Sequence, residues 1–312
     1  MKRLSGTCNL TFRCNYTCPY CDQARDKIWL QYPDLPKESW IKFFGRLPSS
    51  LLHLTGGEPF LYNGFYDILS TMPKRHLFYI ATNLSQPLDQ FLNVTDRDRL
   101  LLIAASLHPS QRSFSLKTYL ERVRTLQEHG ISVYVNYVAY PKQIWMIPFL
   151  KKSVESVGAM FNVDPFISKT YRYTPEEELK VKKFLTQRRK MNFAWDEEGK
   201  LRYCSAGVDY FYVVPNGQTY RCLSGFYHHN PKLFYLFNIT ETPHFNSQPK
   251  PCSNACVATC DQNMVTLTDE TGKTLTKPLY SNDFLLTITQ KLIRHATVRK
   301  IWNKVSSRRI AY

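Results

Sequence analysis

The sequence predicts an α/β fold in which strands alternate with helices and form a parallel sheet. Two observations lead to this class. Short apolar runs rich in leucine, isoleucine, valine and aromatic residues recur between residues 4 and 164. Helical patterns with recognisable start and stop signals separate most of these runs. Such alternation is typical of repeated strand–helix units, whose strands lie parallel in one sheet.

Six strands and five helices follow from these patterns. The strands are predicted over residues 4–12, 51–54, 77–81, 100–107, 132–140 and 160–164. The helices are predicted over residues 37–46, 64–72, 115–129, 143–157 and 175–190. The last of these helices has its N-cap at Thr174 and Pro175 at its first position, because a hydroxyl cap followed by proline favours a helix start.

Composition is that of an ordinary globular protein. Of its 312 residues, 43% are hydrophobic and 21% are charged, which allows two domains with sizeable cores. No apolar run approaches the roughly 18 residues that cross a bilayer, and the first residues lack a long apolar signal region. We therefore expect a cytoplasmic protein without a membrane partner.

The chain carries an excess of positive charge. Lysine and arginine total 41 against 25 acidic residues, a net charge of +16. This excess favours anionic partners, nucleic acid among them, although no nucleic-acid-binding motif accompanies it. A last helix is predicted over residues 282–305, and its basic residues are also consistent with a solvated helix face.

Three cysteines follow the first predicted strand with the spacing C-x3-C-x2-C: Cys14, Cys18 and Cys21. Nine cysteines in a chain expected inside the cell favour metal ligation over disulfides. Thiolates suit iron–sulfur clusters, and three ligands on a four-iron cluster would leave one iron open to a small molecule. A zinc knuckle with a fourth ligand elsewhere is the alternative. Cys8 is expected to be a small buried hydrophobic residue.

This pattern resembles the signature of radical S-adenosylmethionine (SAM) enzymes, C-x3-C-x-aromatic-C, with Tyr20 as the aromatic residue. A second segment, Gly56-Gly57-Glu58-Pro59, resembles the GGEP segment that lines the methionine end of SAM in this family. The resemblance implies a SAM-binding [4Fe–4S] cluster on the three cysteines and SAM on the open iron. It also implies that the six units form a partial (β/α)6 TIM-like barrel.

Polar residues lie near the carboxyl ends of the predicted strands, where barrels of this kind place their chemistry. The resemblance implies SAM contacts for Thr82, Asn83, Ser106 and Asn136. His108 and Asp164 are expected on the substrate side and are our candidate catalytic residues. Each of these residues has a structural alternative, namely a turn, a helix cap or a hydrogen bond within the core.

A second cysteine group lies near a β-hairpin predicted over residues 208–214 and 218–222: Cys204, Cys222, Cys252, Cys256 and Cys260. This arrangement resembles the SPASM and twitch extensions of radical SAM enzymes, which bind auxiliary iron–sulfur clusters. It has five cysteines instead of the seven of the full SPASM pattern. We therefore expect one auxiliary [4Fe–4S] cluster on Cys204, Cys222 and Cys260, with Cys252 or Cys256 as the fourth ligand. A structural zinc site is the alternative.

These expectations define two domains and a class of reaction. A radical SAM barrel is predicted over residues 1–195, and an auxiliary-cluster domain with a basic C-terminal helix over residues 196–312. The resemblance implies that an electron donor such as flavodoxin or ferredoxin drives cleavage of SAM to a radical that abstracts a substrate hydrogen atom. A peptide or an anionic sugar or nucleotide is the expected substrate. A basic, zinc-containing nucleic-acid-binding protein is the alternative, but it leaves the GGEP segment and the six units unexplained.

Overall fold

A sheet of nine strands organises the part of the chain that the structure describes. The structure is a computed structural model, and it describes residues 3–21, 23, 27–111, 113–168, 170–185, 199–228, 230–254, 256 and 264–276. The first six strands are β1 (Leu4–Thr11), β2 (Ser50–Gly56), β3 (Leu77–Thr82), β4 (Leu100–Ser106), β5 (Val133–Ala139) and β6 (Met160–Pro165). They are parallel and adjacent in chain order, which confirms the predicted α/β class and partial barrel.

Helices connect these strands and cover one face of the sheet. They are α1 (Lys37–Arg46), α2 (Phe65–Thr71), α3 (Asp89–Val94), α4 (Leu116–Glu128) and α5 (Ile147–Ser156), followed by α6 (Pro175–Lys182) and α7 (Leu223–His228). The prediction for α6 was too long at its C-terminal end. The chain turns after Lys182, and Phe184 and Leu185 pack against the core. The helix predicted over residues 282–305 lies outside the described residues.

Three further strands extend the same sheet beyond β1. They are β8 (Tyr210–Val213), β9 (Gln218–Tyr220) and β10 (Tyr235–Asn238). Strand β8 runs parallel to β1, and β9 pairs antiparallel with β8 as the predicted hairpin requires. A second sheet contains β7 (Arg202–Cys204), β11 (Lys250–Cys252), β12 (Leu267–Thr268) and β13 (Thr274–Thr276). The predicted domain boundary between residues 195 and 196 lies outside the described residues and stays a prediction.

Side chains alternate between the two faces of the sheet, as strand geometry requires. Leu52, Leu54 and Cys8 face the helices and belong to the main core with Phe43 and Phe65, so Cys8 is buried as predicted. On the opposite face, which is the inner face of the partial barrel, Leu51 and Leu101 pack in a second core. That core also contains Cys204, Tyr210 and Met264. None of the helices in the described ranges is long and apolar enough to span a membrane.

Candidate functional site

The cluster loop, residues 12–21, follows the carboxyl end of β1 and carries Cys14, Cys18 and Cys21. The backbone N–H of Cys21 donates to the carbonyl oxygen of Cys18 at 3.0 Å, which closes a tight turn between them. Burial, together with the nearby charges of Glu58 and Cys21, raises the pKa of Cys14 to about 11. Burial and the neighbouring thiols also raise the pKa of Cys18 to about 12. The thiols are therefore close enough to influence one another, and metal binding would be needed to ionise them at neutral pH.

The two glycines of the GGEP segment allow the end of β2 to lie against the end of β1 and the start of the cluster loop. Gly57 N–H donates to the carbonyl oxygen of Thr11 at 2.8 Å, and Glu58 N–H donates to that of Arg13 at 2.9 Å. A Cβ atom would lie 2.0 Å from the Thr11 oxygen at Gly56 and 2.2 Å from the Arg13 oxygen at Gly57. Gly56 also has φ of +146°, a conformation that side chains disfavour. Only glycine fits this contact at both positions.

Glu58 connects the GGEP segment to the end of β3. Its carboxylate is fully buried and accepts hydrogen bonds from Thr82 Oγ1 at 2.7 Å, from Asn83 N–H at 2.7 Å and from Phe60 N–H at 3.2 Å. Burial raises its pKa to about 7, while the three donors act in the opposite direction. Three of the predicted site residues, Glu58, Thr82 and Asn83, are thus in direct contact with one another. Pro59 begins a short 3-10 helix, Pro59–Leu61, for which Glu58 is the N-cap.

Tyr20 and His108 meet beside the cluster loop. The Tyr20 hydroxyl lies 2.8 Å from His108 Nδ1, and the two rings stack with centroids 5.9 Å apart. Tyr16 contacts the same imidazole edge-on, and Tyr140 lies on another side of Tyr20 with ring centroids 5.4 Å apart. Burial lowers the pKa of His108 to about 4, so the ring is neutral at physiological pH. These contacts join the loop after β4 to the cluster loop, and a catalytic role for His108 stays a prediction.

Asn136 and Asp164 belong to a polar ladder on the last three strands of the barrel. Asn136 lies in register with Ser106 of β4 on one side and with Asn162 of β6 on the other. Its Nδ2 donates to Asp164 Oδ2 at 2.5 Å, and its Oδ1 accepts a hydrogen bond from Asn162 Nδ2. The structural alternative for Asn136, a satisfied hydrogen bond, is therefore present. Sequence reasoning missed Asn162, although its two-residue spacing from Asp164 places both on one face of a strand.

The second cysteine group forms around β7 and β11. Cys204 ends β7 and is 8% exposed, and Cys222 and Cys252 pack against the same core cluster. Backbone N–H groups donate to two of the sulfurs, Ala206 to Cys204 Sγ at 3.4 Å and Gly225 to Cys222 Sγ at 3.2 Å. Such hydrogen bonds stabilise negative charge on ligating sulfur. Cys260 lies outside the described residues.

The donor chemistry of both cysteine groups suits iron–sulfur clusters. In the described part of the chain, no three His, Cys, Asp or Glu side chains are arranged to hold one metal ion. A [4Fe–4S] cluster binds each cysteine through a different iron, so its thiolates need not converge on one point. Three neighbouring thiols on one loop, Cys14, Cys18 and Cys21, therefore fit the ligand set that the resemblance implies.

Comparison with known proteins finds a family match for the barrel region. The family model of the Radical SAM superfamily matches residues 8–146, the range that holds Cys14, Cys18 and Cys21, the GGEP segment and the ends of the first five strands. This match covers a little under half of the chain. It confirms the resemblance to the radical SAM superfamily that the cysteine spacing and the GGEP segment predicted. It also implies SAM and a SAM-binding [4Fe–4S] cluster as cofactors, and it supports an enzymatic role.

Solved structures of radical SAM enzymes share the fold. Streptococcus suis SuiB bound to S-adenosylmethionine is 14% identical, with a TM-score of 0.56 over 77% of this chain and 62% of SuiB. SuiB bound to the precursor peptide SuiA gives the same TM-score at 16% identity, over 77% of this chain and 63% of that one. Native anSMEcpe with bound AdoMet is 15% identical, with a TM-score of 0.51 over 76% of this chain and 78% of that chain. The chain thus spans less than two thirds of SuiB, and at these identities the likeness concerns the fold.

Proposed function

We propose that this protein is a radical SAM enzyme that cleaves SAM reductively and abstracts a hydrogen atom from its substrate. One observation carries the proposal. Gly56 lies directly against the end of β1, and Gly57 lies against the cluster loop that follows it with Cys14, Cys18 and Cys21, inside the region that matches the superfamily. The two motifs are 35 residues apart between Cys21 and Gly56, yet the fold joins them at one end of the sheet.

The residues of the chain bind, orient and shield the reactants. Cys14, Cys18 and Cys21 would hold the cluster. When bound, the cluster and SAM supply one electron and a 5′-deoxyadenosyl radical, which becomes 5′-deoxyadenosine after taking a hydrogen atom. By resemblance, the GGEP segment would line the methionine end of SAM, and Ser106 and Asn136 would approach the rest of it.

Aromatic side chains beside the cluster loop would keep water from the reacting atoms. Tyr16 is 7% exposed, and it contacts His108, which stacks on Tyr20. Tyr140 and Phe166 extend this aromatic wall, and their ring centroids lie 5.4 Å apart. Excluding water strengthens electrostatic contacts in a site and protects reactive intermediates. We therefore place the substrate on the inner side of this aromatic wall.

An auxiliary [4Fe–4S] cluster on the second cysteine group completes the proposal. Cys204, Cys222 and Cys252 pack against one core cluster, which favours Cys252 over Cys256 as the ligand that joins Cys260. Cys204 contacts the core formed by Leu51 and Leu101, near the amino ends of β2 and β4. The cluster loop follows the carboxyl end of β1. A substrate on the inner face would therefore lie between the two cysteine groups, where a cluster held by Cys204, Cys222 and Cys252 would supply an electron acceptor.

The substrate is proposed from charge and from the bound molecules of structural relatives. SuiB is known bound to the precursor peptide SuiA, and anSMEcpe to the Kp18Cys peptide. A peptide is consequently our first candidate, and the net charge of +16 favours an acidic one or an anionic small molecule. Flavodoxin or ferredoxin would donate the electron in the cytoplasm.

Anaerobic reconstitution tests the proposal. We expect about eight iron and eight sulfide per chain, four of each for each cluster. Cys18→Ala should abolish formation of 5′-deoxyadenosine from SAM while the far-UV circular dichroism stays that of wild type. Cys8→Ala is the matched control, because Cys8 is a fully buried cysteine on the helix side of β1 and should leave SAM cleavage intact.

Two results would contradict the assignment. The first is 5′-deoxyadenosine production that persists in Cys18→Ala. The second is stoichiometric zinc in place of iron together with tight binding of nucleic acid, which would support the basic zinc protein. To identify the substrate, the reduced enzyme would be incubated with SAM and a cell extract, and the molecule that loses hydrogen would be found by mass spectrometry.

A further inference from the structure

Asn83 lies at the end of β3 and uses all of its side-chain polar groups in contacts with the protein. Its Nδ2 donates to Asn15 Oδ1 at 3.0 Å and to Cys14 Sγ at 3.7 Å. Its Oδ1 accepts a hydrogen bond from Ser85 N–H at 2.8 Å. An amide nitrogen has two hydrogens to donate, so both are committed here, and the backbone donor at Ser85 fixes which end is oxygen.

The backbone N–H of Asn83 also has a hydrogen-bond partner in the protein. Asn83 N–H donates to Glu58 Oε2 at 2.7 Å, and the residue is 5% exposed. Asn83 therefore joins three segments that are distant in sequence: the cluster loop, the GGEP segment and the turn after β3. Resemblance implied that this position contacts SAM, but both ends of the side chain already have protein partners.

The contact with Cys14 has a chemical consequence. Cys14 Sγ accepts two N–H groups, from the Tyr16 backbone at 3.4 Å and from Asn83 at 3.7 Å. Hydrogen bonds to ligating sulfurs are one of the means by which proteins set the reduction potential of iron–sulfur clusters. A donor stabilises the more negative, reduced state, and so it raises the potential.

We infer that Asn83 is a positioning residue for the cluster site, which holds the cluster loop through Asn15 and raises the reduction potential through its hydrogen bond to Cys14. The inference deepens the proposed function and rests on it. The direct effect is on the ease with which the cluster accepts an electron from its donor. Binding of SAM itself does not require the Asn83 side chain.

Asn83→Asp tests this role because it keeps the size and the acceptor for Ser85 N–H but loses the donor to Cys14. The measurement is a redox titration of the reconstituted protein followed by electron paramagnetic resonance. The signal that changes on addition of SAM identifies the relevant cluster. We expect a midpoint potential below that of wild type, with iron content and SAM affinity unchanged. Asn83→Leu, which lacks both the donor and the charge, should give an intermediate potential.

Ser85→Ala is the matched control. Its hydroxyl donates to Asn15 Oδ1 at 3.1 Å but does not contact Cys14, so its loss should leave the potential at the wild-type value. An unchanged potential in Asn83→Asp with full iron content would overturn the inference. So would weaker SAM binding at an unchanged potential, because that would make Asn83 a SAM contact.

Two further outcomes are decisive as well. If neither Asn83 variant retains iron while both keep the wild-type circular dichroism, Asn83 is needed to assemble the cluster rather than to set its potential, and the inference is overturned. Failure of the proposed function is distinguishable, because wild-type protein would then show no iron signal that responds to SAM.

Discussion

At the scale of single residues, the inner face of the barrel contains a histidine that the mechanism does not use. His53 on β2 stacks on the Tyr79 ring with centroids 4.3 Å apart and an interplanar angle of 7°. Its Nδ1 lies 3.5 Å from Thr7 Oγ1, and its Nε2 is buried without a hydrogen-bond partner among the described residues. Burial lowers its pKa to about 3, so the ring stays neutral in the folded protein.

This histidine makes stability depend on pH. Below about pH 6.5 the unfolded chain protonates His53 while the folded chain does not, so stability should fall as the pH drops from there toward 4. The slope reaches at most about 1.4 kcal/mol per pH unit for each such histidine. His53→Phe keeps a ring against Tyr79 and should make the decline shallower. Urea unfolding at about pH 7 and about pH 5 measures the effect, and equal slopes in the two proteins would contradict it.

The sequence predicted which residues carry the chemistry of the site, but not which side chains contact one another in the fold. The spacing of Cys14, Cys18 and Cys21 sufficed for the family, because the reactive groups are local in sequence. The role of Asn83 depends on hydrogen bonds to residues 68 and 69 positions away. The sequence predicts only that His53 belongs to an apolar strand. Which side chains of that strand face inward depends on the helices that cover its other face.

At the scale of elements, the two glycines of the GGEP segment act through the contact of β2 with the end of β1 and the start of the cluster loop. Gly56→Ala would bring a methyl group to 2.0 Å from the Thr11 carbonyl oxygen at an unfavourable φ. We expect a loss of at least about 1–3 kcal/mol from the strained backbone, with weaker cluster retention. Gly45→Ala is the control, because it lies in α1 with no atom within 4 Å of the added carbon. It should be neutral or stabilising by up to about 1 kcal/mol.

Thermal unfolding and iron content after gel filtration would measure both variants. A Gly56→Ala protein as stable and as rich in iron as wild type would refute the packing role of this glycine. Equal destabilisation by Gly45→Ala would show that the loss is not specific to the contact between Gly56 and Thr11.

Elements with strong periodic or capping signals were predictable, and short ones were not. The capping box of α6 is present, with Glu177 N–H donating to Thr174 Oγ1 at 3.3 Å and Thr174 N–H to Glu177 Oε2 at 2.8 Å. Helix α3 spans only six residues, Asp89–Val94, which is fewer than two turns. This is too short for apolar residues to repeat with the helical period, so the sequence pattern does not predict it. The 3-10 helix Pro59–Leu61 is shorter still, and a buried carboxylate caps it.

At the scale of the whole molecule, the hairpin after the barrel completes the barrel's own sheet. Strand β8 pairs with β1, Asn9 Nδ2 donates to the Val213 carbonyl oxygen at 2.8 Å, and the Tyr210 hydroxyl donates to Thr7 Oγ1 at 3.0 Å. The partners are more than 200 residues apart in sequence. No local pattern encodes such a pairing, so the sequence indicated the hairpin but not its place in the sheet.

A substitution at Phe211 tests whether the hairpin and the barrel form one folding unit. The side chain is fully buried, with ring centroids 5.9 Å from Phe43 of α1 and 5.5 Å from Phe245, and its ring fills the space above Gly6. Phe211→Ala should therefore cost about 3–5 kcal/mol, the usual loss for a buried phenylalanine. Because the ring belongs to the main core, the barrel and the hairpin should unfold together in one transition at lower denaturant concentration.

Leu233→Ala is the control, since that side chain is 73% exposed and its loss should change little. Two separate transitions, with only one shifted by Phe211→Ala, would instead show that the hairpin folds independently of the barrel.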